Sequence, residues 1–96
     1  MGAWIIVVLL SAQAPAVAIT LDDGPHVGAT PRMTAPQRNA ALLQALAKHH
    51  VRAGLFVTVN NGANTKEGVA LLRAWGAAGQ LIGNHTVTHP DLNAES

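Results

Sequence analysis

Ala16-Val17-Ala18-Ile19-Thr20-Leu21-Asp22-Asp23-Gly24-Pro25 is the segment that decides the fold class. Its apolar run, Ala16 to Leu21, reads as a buried strand. Gly24-Pro25 stops it. Two adjacent carboxylates at a strand end suit metal or acid–base chemistry better than packing, since an unpaired buried carboxylate is costly. Taken alone, the tetrapeptide Asp22-Asp23-Gly24-Pro25 also reads as a simple turn.

Downstream the pattern alternates. A polar loop from Gly24 to Met33 leads to Thr34-Ala35-Pro36-Gln37, where Thr34 is a candidate N-cap and Gln37 completes a capping box. Leu43, Leu46, Ala47 and His50 recur at helical spacing, and Lys48, His49 and His50 crowd the last turn, where positive charge suits the helix dipole. Leu55-Phe56-Val57-Thr58-Val59 reads as a second strand, broken by Asn60-Asn61-Gly62. A second helix is expected from Lys66 to Ala78 with Val69, Leu72 and Trp75 on its inner face, closed by Gly79 at the left-handed position. Leu81-Ile82-Gly83 then reads as a short third strand. The order β-α-β-α-β predicts an α/β fold with parallel strands.

In such folds chemistry gathers at the carboxyl ends of strands. Asp22, Asp23 and His85 all fall there. His85-Thr86-Val87-Thr88-His89 adds two imidazoles four positions apart. One carboxylate with two imidazoles makes a facial metal site with open positions, and the spare carboxylate is the candidate base. If residues 86–89 form a helical turn, both rings share one side; if they form a loop, a metal would have to organise it. An isolated His-x-x-x-His is also common as an exposed pair without a partner. Thr86 and Thr88 are candidate hydroxyls around the ligands. His26 is close enough in sequence to approach the site, while His49 and His50 read as surface residues. Asn60, Asn61 and Asn64 read as turn formers, with contact to a substrate hydroxyl as the alternative, and Trp75 reads as core.

Ile19-Thr20-Leu21-Asp22-Asp23-Gly24-Pro25 resembles the first motif of the polysaccharide deacetylases, the NodB-homology domain of carbohydrate esterase family four. His85-Thr86-Val87-Thr88-His89 resembles their second, His-Ser/Thr-x-x-His. The resemblance covers roughly Ala16 to Leu92, with Leu21 standing where the family usually has Phe. It implies the first β/α units of a distorted (β/α) barrel. It makes Asp23, His85 and His89 the metal ligands, Asp22 the catalytic base, and Zn²⁺ the expected cofactor. The implied reaction is hydrolysis of an N-acetyl or O-acetyl group on an acetylated polysaccharide or oligosaccharide. The family also carries downstream an Arg/Pro-bearing motif and a late His that serves as general acid. The sequence to Ser96 shows neither, so an incomplete barrel is expected, with a truncated, catalytically incompetent piece that at most binds metal or glycan as the alternative. Another metal hydrolase of barrel type, acting on a non-sugar amide, would use the same metal triad.

Composition bounds these readings. The 96 residues are 49% apolar, enough for one small domain, whereas a closed (β/α)₈ barrel needs roughly 200 or more. Net charge is +1 with no basic cluster, and three scattered aromatics offer no stacking platform, so no nucleic-acid partner is expected. The absence of cysteine excludes disulfides and thiolate metal sites. Trp4-Ile5-Ile6-Val7-Val8-Leu9-Leu10, followed by small residues, has the shape of a signal-peptide core. A leader over residues 1–18 and export are therefore expected, with residues 19–96 as the deacetylase-like domain. Buried-strand packing of Ile5 to Leu10 is the competing reading. The run is short of the ~20 apolar residues of a stable membrane span.

Overall fold

The computed structural model describes residues 15–93. The expected leader lies outside the described residues except for residues 15–18, which carry no regular structure. Among the described residues no helix is long and apolar enough to cross a membrane.

The chain runs β1 (Ile19–Gly24), α1 (Ala35–Lys48), β2 (Ala53–Val57), a single 3-10 turn (Val59–Asn61), α2 (Lys66–Ala77) and β3 (Leu81–Asn84). The strands form one parallel sheet in the order β1-β2-β3, so all three carboxyl ends lie on one side. The architecture is α/β, as expected. β1 begins later than the apolar run and extends through both aspartates to Gly24.

Strand alternation sets the two faces of the sheet. Ala53, Leu55 and Val57 of β2 are buried and form the core with Leu46 of α1 and Trp75 of α2, backed by Leu21, Leu43 and Leu72. The other face is open, with Phe56 and Leu81 exposed. Val57 is buried because it lies on the helix-covered side.

Both helices carry sequence-encoded ends. Thr34 and Gln37 make the capping box: the Gln37 N–H donates to Thr34 Oγ1 at 3.3 Å and the Thr34 N–H to Gln37 Oε1 at 2.9 Å. Thr65 caps α2 through the Gly68 N–H. At its other end the Gly79 N–H donates to Gly76 O and the Gln80 N–H to Trp75 O, a Schellman closure with Gly79 in the left-handed region. The buried stripe of α2 is Gly68, Leu71 and Trp75, not the expected one through Val69, which is exposed. Gly68 lies against the Gly62 carbonyl, where any Cβ would collide, and this contact rotates the helix. Trp75 Nε1 donates to Asn39 Oδ1 at 2.7 Å, and Asn39 Nδ2 donates to Leu71 O, tying the helices together. Gln80 completes the frame: it accepts from the Ala53 N–H and donates to Val51 O, clamping the entry to β2.

α1 closes by the same Schellman pattern, but its left-handed residue is His50, at φ 53°. Ala47 and His50, counted with the apolar stripe from spacing, are both exposed. An L-residue costs about 1–2 kcal/mol in this conformation, partly offset by glycine's larger entropy loss. His50→Gly is therefore expected to stabilise the chain by about 0.5–1 kcal/mol. Urea unfolding would show this as a higher midpoint at unchanged slope.

Candidate metal and active site

Alternation alone would send the Asp23 side chain toward the helices, one position after open-face Asp22. The structure avoids that with a bulge. Asp22 pairs with Phe56 and Gly24 with Val57, leaving Asp23 as an extra residue at φ 68°. Bulges re-aim side chains in this way. The conformation is held from outside the strand, since Asn61 Nδ2 donates to the Asp23 carbonyl at 2.7 Å.

His85 follows β3 directly, and its N–H donates to Val57 O at 2.8 Å, continuing the sheet ladder by one bond. Residues 85–89 form a loop, not a helical turn. Side chains organise it: the Thr86 N–H donates to Asn84 Oδ1 at 2.7 Å and the His89 N–H to Thr86 Oγ1 at 2.9 Å. Thr86 and His89 both take positive φ, 70° and 55°. Two backbone bonds, Val59 N–H to Thr86 O and Asn60 N–H to Val87 O, lash this loop to the turn after β2. The loop is thus built by the chain's own hydrogen bonds. No hydrogen bond of the Thr88 side chain occurs among the described residues.

The outcome is convergence. His85 Nε2 lies 3.5 Å and His89 Nε2 3.8 Å from the same oxygen, Asp23 Oδ1. The two rings meet edge to face with centroids 4.9 Å apart. One donor atom from each of the three residues falls within 4.8 Å of the others. Asp23 and His85 are half-buried and His89 is exposed, so the cluster opens to solvent on one side. The donor set, one carboxylate oxygen and two imidazole nitrogens with room for further ligands, fits a borderline divalent cation such as Zn²⁺.

Asp22 is not part of this cluster. It is exposed, and among the described residues its carboxylate has no hydrogen bond or ion pair. It borders a cavity of about 190 Å³ shared with Pro25, His26 and Arg38. His26 is exposed and stands outside the cluster; its carbonyl accepts from Arg38 Nη2 at 2.8 Å. Trp75 is core. Two residues around the site escaped the sequence reading. Asn61 passed for a turn former or sugar contact, and Thr58 for an ordinary strand residue. Thr58 is 2% exposed, and its Oγ1 lies 3.2 Å from Asp23 Oδ1 and 3.2 Å from the His85 carbonyl oxygen. A buried hydroxyl beside Asn60-Asn61-Gly62 was the one available signal.

The polysaccharide deacetylase family model matches residues 11–96. The chain is 42% identical over 81 residues to a chitooligosaccharide deacetylase of Sinorhizobium fredii, covering 84% of this chain and 32% of that protein. It is 41% identical over 91 residues to a chitin deacetylase of Colletotrichum lindemuthianum, covering 93% and 33%. A peptidoglycan-N-acetylglucosamine deacetylase of Bacillus cereus is 34% identical over 76 residues, covering 79% and 23%. The chain spans about a third or less of the length of these curated relatives. No solved structure matches it. Motif order, strand-end geometry and the family match agree, and the chain belongs to the polysaccharide deacetylase family.

Proposed function

We propose that this chain carries the metal-binding face of a deacetylase that removes N-acetyl or O-acetyl groups from a polysaccharide or its oligosaccharides. The observation that carries the reading is the meeting of Asp23, His85 and His89 at the carboxyl ends of β1 and β3. The named activities of the relatives, on chitooligosaccharide, chitin and peptidoglycan, support the substrate class. The three parallel strands are read as the first units of a distorted (β/α) barrel, a reading supported by the open face of the sheet. Export through residues 1–18 belongs to the same proposal and rests on the Trp4–Leu10 run.

Asp23 Oδ1, His85 Nε2 and His89 Nε2 would hold the cation. A bound Zn²⁺ supplies Lewis-acid polarisation of the acetyl carbonyl and lowers the pKa of water. Asp22 carries an exposed carboxylate with no partner among the described residues, so it is available to take the proton of the attacking water. Asp23, which faces two imidazoles and accepts from Thr58, is left to the ligand role. The bulge, which sets Asp23 apart from Asp22 in the ladder, supports this division of labour between the adjacent aspartates. The proton needed by the departing amine is assigned to no residue of this chain.

Acetate release from N-acetylated chito-oligosaccharide is the test. In a protein that joins this chain to the family's downstream Arg/Pro motif and late His, release is expected with Zn²⁺ present, to cease on chelation, and to be lost in Asp23→Asn. If that protein, folded and Zn²⁺-loaded, releases no acetate from chito-oligosaccharide or peptidoglycan fragments, it is a metal or glycan binder without turnover, and the catalytic reading falls.

A further inference from the structure

The two ligand-bearing strands are not neighbours. β2 lies between β1 and β3, so Asp23 and His85 share no direct ladder bond and are related only through the middle strand. The residue at the end of the middle strand does touch both sides. Thr58 donates its N–H to Gly24 O at 3.1 Å, joining it to the end of β1. Its hydroxyl lies 3.2 Å from Asp23 Oδ1 and 3.2 Å from the His85 carbonyl oxygen. Both of these are acceptors, and a threonine hydroxyl has one proton. The hydroxyl therefore serves one partner at a time and is within reach of either. At 2% exposure it has no ready substitute from water.

The oxygen Thr58 reaches is the one that counts. Asp23 Oδ1 is the atom facing both His85 Nε2 and His89 Nε2. The Asp23 backbone is pinned by Asn61, but its side chain is 43% exposed. Among the described residues the Thr58 hydroxyl is the only hydrogen-bond donor to this carboxylate. Without that donor the carboxylate would rotate among staggered and terminal torsions, and a cation would have to bear the cost of ordering it.

We propose that Thr58 is a positioning residue: from the end of the central strand its hydroxyl orients Asp23 Oδ1 toward the two imidazoles and so raises the chain's affinity for a divalent cation. This rests on the reading of Asp23, His85 and His89 as a cation site. Partners of this kind around metal ligands typically govern 10- to 100-fold in affinity, here roughly the effect expected.

The test is calorimetric titration of the chain with Zn²⁺ alone as the probe, for the natural sequence, Thr58→Val and Thr58→Ser, with thermal unfolding of each metal-free protein alongside. Valine keeps the buried shape and removes the proton, and serine keeps the proton and removes a buried methyl. The expected result is a fall of roughly 10- to 100-fold in Zn²⁺ affinity for Thr58→Val, with Thr58→Ser close to the natural sequence despite its lower unfolding temperature. Co²⁺ absorption should show the same split, with an altered ligand-field band in the valine variant only. A merely structural role would make affinity follow metal-free stability and place serine below valine, which overturns the proposal, as does unchanged affinity in the valine variant. Failure of the folded natural chain to bind Zn²⁺ would overturn the cation-site reading and this inference with it, and that failure is visible before any variant is compared.

Discussion

Replacing His89 by alanine is expected to weaken Zn²⁺ binding by about 10²–10³-fold while leaving the fold intact. A four-ligand zinc site is worth about 10–16 kcal/mol in apparent binding, so one ligand accounts for about 2.5–4 kcal/mol. The His89 side chain is 58% exposed and sits in the loop after β3. Its removal opens no cavity in the core. Its N–H bond to Thr86 Oγ1 belongs to the backbone and survives. The left-handed φ of 55° is awkward for alanine as for histidine, and His89→Gly separates the effects: it relieves the backbone and still removes the imidazole. Both variants should lose affinity alike, with circular dichroism unchanged. His85→Ala should behave the same way, because its contribution to the sheet is the backbone bond to Val57. If the affinity loss appeared in His89→Ala and vanished in His89→Gly, loop geometry and not ligation would be its cause.

Where patterns are local, the sequence was legible. The capping box at Thr34, the Schellman glycine at Gly79 and the β-α-β-α-β order each depend on neighbours a few residues apart. The grouping of Asp23 with His85 and His89 was also open to reading, because parallel strands collect their carboxyl ends on one side. What stayed hidden depends on pairing between strands. The bulge at Asp23 exists only relative to Phe56 and Val57 of β2, and no local signal distinguishes it from a plain strand end. Thr58 and Asn61 matter because the register brings them opposite a residue 35 or more positions earlier. The inner face of α2 came out rotated for a similar reason: Val69 and Leu71 are equally apolar, and the contact of Gly68 with Gly62 decides between them. The loop at 86–89 was ambiguous in spacing and was settled by hydrogen bonds from Asn84 and Thr86 side chains.

The adjacent aspartates should then separate cleanly in function. In a protein that also carries the family's downstream motifs, Asp22→Asn is expected to lower turnover by about 10²–10⁴-fold, the usual worth of a general base, with Zn²⁺ affinity retained. Asp22 pairs with Phe56 one position before the bulge and lies on the open face by strand alternation, whereas Asp23 is swung toward the histidines. Asparagine matches aspartate in shape but cannot take a proton at neutral pH, so the change removes the base and little else. The exposed position of Asp22, with no hydrogen-bond partner among the described residues, means that no packing or network is broken. Asp23→Asn should do the opposite first. It removes the charged oxygen that faces both imidazoles and accepts from Thr58, so metal affinity falls and activity fails for want of metal, recoverable in part at high Zn²⁺. Steady-state kinetics at rising Zn²⁺, with bound metal measured on the same samples, distinguish the two. Metal excess should rescue Asp23→Asn and leave Asp22→Asn inactive. The reverse pattern would exchange their roles, and equal rescue of both would mean that neither carboxylate acts as the base.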